Sequence, residues 1–331
     1  MTEVSEGTAR RADASALSAN GARIAGPPQG ASSAPNGDSA AATAASVGGT
    51  PMTDLVIQAP QVLREDLEVL QLMTGAAGVE PLARAACDAY RLHEPRHGAG
   101  VAEACAAAGY DFAWVPRDRS LDRVRLLAID MDSTLITIEC IDEIAALRDI
   151  GGEVSAITAA AMRGEIDFRE SLVRRVALLA GMPVETLARV YDERLRLSPG
   201  ATRLLETIRA IGAKTLLVSG GFTFFTKRLQ SRLAIDDTLS NVLEVAAGHL
   251  TGRIVGDIVD AAAKRARFAG LAQQYRGDDG LTVAIGDGAN DLPMLGHADV
   301  AIAYRAKPIV RARATHAVDF CGLDAVLNVF T

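Results

Sequence analysis

From about residue 124 onward the chain alternates short apolar runs with longer helix-like stretches, and few architectures accommodate that alternation. Residues 124–129, 215–218, 282–285 and 300–302 are rich in Val, Ile, Leu and Ala and have the length of strands. Continuous apolar runs suit strands buried on both faces, and strands separated by helices wind into a parallel sheet. The expected fold class is therefore α/β, a Rossmann-like three-layer parallel sheet. One interval breaks the rhythm. Residues 139–196 are mainly helical and far too many for one crossover helix, which predicts an inserted helical cap domain. Gly151-Gly152 and Gly181-Met182-Pro183 divide it into several helices.

The chain before this region divides in two. Residues 1–50 consist mostly of Ala, Ser, Gly, Thr and Pro and offer too little apolar surface to offset their ordering entropy, so a disordered low-complexity tail is expected. Residues 51–120 then read as a small α+β domain for which a regulatory role is open: strands at 55–58, 89–92 and 112–115, with helices at 64–74 and 101–108. His93 and His97 lie four apart, but Pro95 breaks any helix that would align them as metal ligands, so they are read as a solvated loop. The expected catalytic domain is 121–331.

Composition narrows the class. Of 331 residues 49% are hydrophobic, enough for a sizeable core, yet no apolar run reaches the roughly 20 residues that span a bilayer. The start of the chain lacks the order of a signal peptide, so the expected location is cytoplasmic, with no membrane partner. A net charge of -7 argues against a nucleic-acid partner, because backbone binding needs clustered Lys and Arg. Cys87, Cys105, Cys140 and Cys321 are widely spaced without a CxxC pair and read as free buried thiols. Cys140 has no neighbouring His to serve as its base. His249, His297 and His316 stand singly and read as surface or supporting residues.

In an open parallel sheet, ligands bind beyond the carboxyl ends of the strands. Three strand ends carry an unusual set. The first runs into Asp130-Met131-Asp132-Ser133-Thr134, where alternate positions of an extended segment would aim two carboxylates at one place. Their repulsion is relieved by a hard divalent cation such as Mg²⁺. The second runs into Ser219-Gly220-Gly221, a hydroxyl with open backbone amides suited to phosphate. The third runs into Gly286-Asp287-Gly288-Ala289-Asn290-Asp291, which adds two carboxylates and an amide. Lys264 precedes it and can neutralise phosphoryl oxygens as a point charge. A lone DxD is commonly a turn and a lone SGG a plain loop; their ordered succession after apolar strands is what points to chemistry.

With these motifs in place, the carboxy-terminal two-thirds resembles the haloacid dehalogenase-like hydrolases, and among them the phosphoserine phosphatases. The resemblance implies Asp130 as nucleophile, Asp132 as proton donor and acceptor, and an aspartyl-phosphate intermediate. It implies Mg²⁺ held by Asp130, Asp132 through its backbone carbonyl, and Asp287, with Asp291 nearby. Ser219, Gly220 and Lys264 would hold the phosphoryl oxygens. The segments Ile136-Thr137-Ile138-Glu139-Cys140 and Ala161-Met162-Arg163-Gly164-Glu165 onward resemble the corresponding cap segments. By that match Glu139 would bind the substrate ammonium, Arg175 its carboxylate, and Met162 and Phe168 an apolar wall, with Asn290 lining the phosphate site. The implied substrate is O-phospho-L-serine, and the implied reaction is the last step of L-serine biosynthesis.

Without the resemblance, Glu139 reads as an acid at a helix start, Arg175 as a solvated helix residue, and Met162 and Phe168 as core. Two other functions remain open at this point: another small phosphomonoester or phosphoryl transfer between alcohols, and a sensor whose phosphatase-like part only binds. The oligomeric state has no sequence signature. Gly248-His249-Leu250-Thr251-Gly252 reads as a hairpin turn near the site.

Overall fold

The computed structural model describes residues 52–331, so the expected tail over 1–50 lies outside the described residues. The chain opens with β1 (Thr53–Ala59), α1 (Arg64–Thr74), β2 (Gly78–Leu82), β3 (Asp88–His93), α2 (Val101–Ala108) and β4 (Asp111–Pro116). These strands form an antiparallel sheet of order β2-β3-β1-β4, the split βαβ arrangement of ferredoxin-like units. Leu55, Ile57, Leu70, Leu92, Val101 and Cys105 are buried together in its core.

β2 has no counterpart among the expected strands, and its sequence explains why. Gly-Val-Glu-Pro-Leu carries two residues that weaken a strand reading, yet β2 is an edge strand, where proline is tolerated. His93 is likewise no solvated loop residue. It ends β3, with Nδ1 3.3 Å from Asp54 Oδ2 and Nε2 3.1 Å from Glu80 Oε2.

The remaining chain supplies β5 (Val124–Asp130), α3 (Cys140–Ala146), α4 (Gly151–Met162), α5 (Phe168–Ala177), α6 (Glu185–Arg189), α7 (Ala201–Ala210), β6 (Lys214–Phe222) and α8 (Thr223–Leu233). There follow β7 (Asp237–Ala246), β8 (His249–Val255), α9 (Ala261–Tyr275), β9 (Leu281–Gly286), α10 (Leu292–Leu295), β10 (Val300–Tyr304), α11 (Pro308–Arg311) and β11 (His316–Val318). The sheet order is β11-β10-β9-β5-β6-β7-β8, parallel throughout except for the β7–β8 hairpin. This is the expected α/β parallel sheet, with one buried cluster behind each face.

The topology locates the site. β5 leads to β6 on one side while β9 returns on its other side, so the winding reverses at β5 and a crevice opens beyond its carboxyl end, at Asp130. α3 to α6 all fall between β5 and β6, within the interval expected to hold the insertion.

The β7–β8 hairpin turns more tightly than expected. Only Ala247 and Gly248 lie between the strands, with φ of 48° and 76°, the left-handed pair that a two-residue turn requires. Its tip bonds to the helical insertion, with Val184 N donating to Gly248 O and Gly181 N to Leu250 O. Among the described residues no helix is long and apolar enough to cross a membrane.

Candidate active site

β5 delivers Asp130, 5% exposed, to the crevice floor, and the chain then turns sharply through Met131–Leu135. Ser133 takes φ 56°, a left-handed conformation costly for a residue with a Cβ. The turn is held by Ser133 N donating to Ile138 O (3.2 Å), Ile136 N to Met131 O (3.0 Å) and Ser133 Oγ to Glu139 Oε1 (2.7 Å). Because the strand stops at Asp130, the alternation expected to aim Asp130 and Asp132 alike does not govern Asp132. Its Oδ1 accepts from Cys140 N (2.8 Å) and its Oδ2 from Ser219 Oγ (3.1 Å).

Asp130 groups with Asp287 and Asp291, each offering one carboxylate oxygen within 4.8 Å of those of the other two. Asp291, expected beside the site, is one of the three. Lys264, 1% exposed, donates to Asp130 Oδ1 (2.5 Å) and to Asp291 Oδ1 (2.8 Å). Asp291 Oδ2 accepts from Gly288 N (3.1 Å), and Thr134 Oγ1 donates to Asp287 Oδ1 (3.2 Å). Gly286 is required by proximity, since a Cβ there would fall 2.6 Å from Asp291 Cγ.

Three ionised carboxylates and one ammonium leave a surplus of two negative charges. Burial, with Asp291 beside it, pushes the Asp130 carboxyl well above its ordinary range. The same causes push Asp287 up to about 6. For Lys264 desolvation works to lower its pKa, but Asp130 and Asp291 outweigh that and hold the ammonium above its ordinary value. An all-oxygen donor set with this surplus fits a hard divalent cation, which would relieve the repulsion.

The carboxyl end of β6, from Ser219 to Gly221, closes the other side. Ser219 Oγ accepts from Gly221 N (2.8 Å) while donating to Asp132. A Cβ on Gly221 would lie 2.7 Å from Asp132 Oδ2 and 2.8 Å from Met131 Cε, so only glycine fits without displacing them. Burial raises the Asp132 carboxyl, against the opposing bonds from Cys140 and Ser219, so a proton on Asp132 is retained more readily than on a free aspartate.

The insertion supplies the roof. Glu139 is exposed, with its carboxyl held by Ser133 Oγ. Desolvation of that carboxyl, with Asp132 nearby, pushes it up to about 7. Among the described residues, Arg175, half-buried on α5, has a hydrogen bond only from Nε to Ser171 O (3.4 Å) and forms no ion pair. Burial lowers its pKa, and Asp142, Glu139 and Asp132 act to raise it. Phe168 packs over the loop, its Cζ 3.0 Å from where a Gly220 Cβ would stand. Asn290 folds across Gly288, whose Cβ would fall 2.3 Å from Asn290 Oδ1. Met162 differs from its expected place in an apolar wall: at the end of α4 it is 68% exposed.

Residues 127–296 match the family model of the haloacid dehalogenase-like hydrolases. This chain belongs to that family. Its hydrolase relatives include a phosphoserine phosphatase of Polaromonas sp., 52% identical over 217 residues, which cover 64% of this chain and 92% of the relative. A haloacid dehalogenase family hydrolase from Salmonella enterica serovar Typhi superposes with a TM-score of 0.77 at 33% identity, over 85% of this chain and 99% of the other. A probable phosphoserine phosphatase from Vibrio cholerae gives 0.70 at 37% identity, over 83% and 85%.

Sequence reasoning missed three contributors to this hydrolase site. Thr134 steadies Asp287, the Cys140 amide fixes Asp132, and Ser133 holds Glu139. The only signal for two of them was a pair of hydroxyl residues directly after the acidic pair. A backbone amide carries no signal at all.

Proposed function

We propose that this chain hydrolyses O-phospho-L-serine to L-serine and inorganic phosphate, the last step of L-serine biosynthesis, in the cytoplasm. The observation that carries the chemistry is the division of labour between two aspartates. Asp130 is bound by Lys264 in the acidic cluster, whereas Asp132 sits apart on Ser219 and the Cys140 amide. The names of the relatives, with an unpaired Arg175 and the Glu139 carboxyl in the roof, support the substrate.

A carboxylate oxygen of Asp130 attacks phosphorus, and the P–O bond to the serine oxygen breaks. Asp132 gives its proton to the departing oxygen. The resulting acyl phosphate on Asp130 is opened when water attacks phosphorus, with Asp132 taking the proton back and Asp130 leaving as a carboxylate. Ser219, the Gly220 amide and Lys264 hold the phosphoryl oxygens where transition-state charge gathers. Asp130, Asp287 and the backbone carbonyl of Asp132, with Asp291 beside them, would hold Mg²⁺, which lowers repulsion between the attacking carboxylate and the phosphate.

The insertion at about 139–196 serves as the cap. Glu139 takes the substrate ammonium, and the planar fork of Arg175 takes its carboxylate. Phe168 excludes water, and Asn290 lines the phosphate site.

The test is phosphate release from a panel of small phosphomonoesters, with Mg²⁺ and with a chelator. Phosphoserine should be the preferred substrate and chelation should abolish turnover. Arg175→Ala should raise KM for phosphoserine at least about tenfold, the scale of one charge-assisted hydrogen bond to a charged group, and leave p-nitrophenyl phosphate hydrolysis intact. Equal effects on both esters would sink the assignment of the amino acid head group.

A further inference from the structure

Asn241, 1% exposed in β7, uses both ends of its amide. Nδ2 donates to Gly220 O (2.7 Å), and Oδ1 accepts from Val259 N (2.8 Å). It stands where the sheet is interrupted. The β6–β7 register runs from Leu216 opposite Asp237 to Val218 opposite Leu239, then resumes only at Phe222 opposite Asn241. Residues 219–221 leave the ladder to form the phosphate loop, and the Asn241 side chain takes up the Gly220 carbonyl there.

The two partners lead to different halves of the site. The Gly220 carbonyl shares a peptide plane with the Gly221 N–H, which donates to Ser219 Oγ. Val259 precedes Asp260, whose side chain caps α9 at Ala263 N (3.0 Å) and whose carbonyl accepts from Lys264 N (2.9 Å). One buried amide therefore ties the loop that carries Ser219 to the first turn of the helix that carries Lys264. Lost or misaimed, it leaves a partly buried carbonyl and a buried N–H without this partner.

We propose that Asn241 is a positioning residue for phosphoryl transfer, a clamp that sets Ser219 and Lys264 in register so that both converge on the same phosphoryl oxygens. It touches no substrate. The proposal rests on Ser219 and Lys264 being the phosphoryl ligands and not on the identity of the alcohol.

The test compares wild type with Asn241→Asp and Asn241→Ala. Asn241→Asp keeps the acceptor for Val259 N but sets an oxygen against Gly220 O; Asn241→Ala removes both bonds. Assayed well below each variant's Tm, kcat on phosphoserine and on p-nitrophenyl phosphate should both fall about 10- to 100-fold, the scale of a misplacement near 1 Å. The inhibition constant of inorganic phosphate should rise, and that of L-serine should not. Amide exchange without substrate should accelerate at 219–222 and 259–264 together.

A lowered Tm with kcat and phosphate inhibition within about twofold of wild type would overturn the clamp, since a merely structural asparagine predicts that pattern. If wild type hydrolysed only the aryl ester, the phosphoserine reading would fall, and the kcat comparison on that ester would still decide the clamp. Phosphate release from neither ester would overturn both.

Discussion

At the scale of single residues, the site works by giving like groups unlike surroundings. Asp130→Asn should lower kcat by at least about three orders of magnitude, because the nucleophile has no substitute, with little change in Tm. Glu139 gives a pH signature. Desolvation, with Asp132 nearby, pushes its carboxyl up to about 7, so it loses charge as pH falls through that value and with it the attraction for an ammonium group. kcat/KM for phosphoserine should therefore decline on the acid side of about 7, and Glu139→Gln should lower the whole profile and remove that limb. A profile unchanged in Glu139→Gln would assign the limb elsewhere. Asp130, Ser219 and Asp287 were legible in the sequence because they directly follow apolar runs, and Lys264 because it falls between the second and third of these motifs. Asn241 was not: it lies inside a strand, and its partners are a carbonyl and an N–H, which every residue has.

Elements decide how these groups meet. The turn after β5 and the carboxyl end of β6 approach so closely that Gly221 faces Asp132, Met131 and Ser219 at once. Gly221→Ala would press its Cβ on the ends of flexible side chains, which yield, so its stability cost should stay at the low end of the roughly 1–3 kcal/mol of overpacking. Two of the three displaced groups take part in catalysis, so kcat should fall at least about tenfold while Tm moves by a few degrees. A variant that lost Tm but kept kcat would show that the loop relaxes as a whole. The sheet and the helical insertion were readable from apolar runs and their spacing. β2 and β11 were not, the first because Gly78 and Pro81 mask an edge strand and the second because three residues carry no period. Asp132 lies past the end of β5, so its bonds to the Cys140 amide and Ser219 Oγ, rather than alternation along a strand, aim its carboxyl.

Across the whole molecule, the amino-terminal unit is fastened to the hydrolase by polar bonds that no motif announced. Asp111 accepts from the amides of Asp319, Phe320 and Cys321, Asn328 donates to Gln58, and Arg91 and Arg84 both reach Phe330 O. His316, 7% exposed, belongs to this seam and is no surface residue. Arg119 lies 3.1 Å from its Nε2, and Thr315 Oγ1 lies 2.8 Å from its Nδ1. A guanidinium has no lone pair to offer, so neutral His316 accepts from Arg119 at Nε2 and carries its proton on Nδ1, while Trp114 O, 3.4 Å from Nε2, can accept only once that nitrogen is protonated. Burial, and secondarily Arg119, lower its pKa to about 4 from an ordinary 6.5. The unfolded chain therefore takes up this proton first as pH falls. Stability is full above about 6.5 and is lost progressively down to about 4, with about 2 kcal/mol gone at pH 5. Asp111 works in the opposite sense, because burial raises its carboxyl despite its three amide bonds, so the folded state gains on the unfolded state as acid protonates it. A comparison that holds Asp111 fixed separates the two. His316→Gln keeps an acceptor for Arg119 and cannot take up a proton, so the urea-derived stability of wild type should fall by about 2 kcal/mol more than that of the variant between pH 7.5 and 5. Equal losses would mean that the seam opens before the core, leaving His316 solvated and its proton uncoupled from folding.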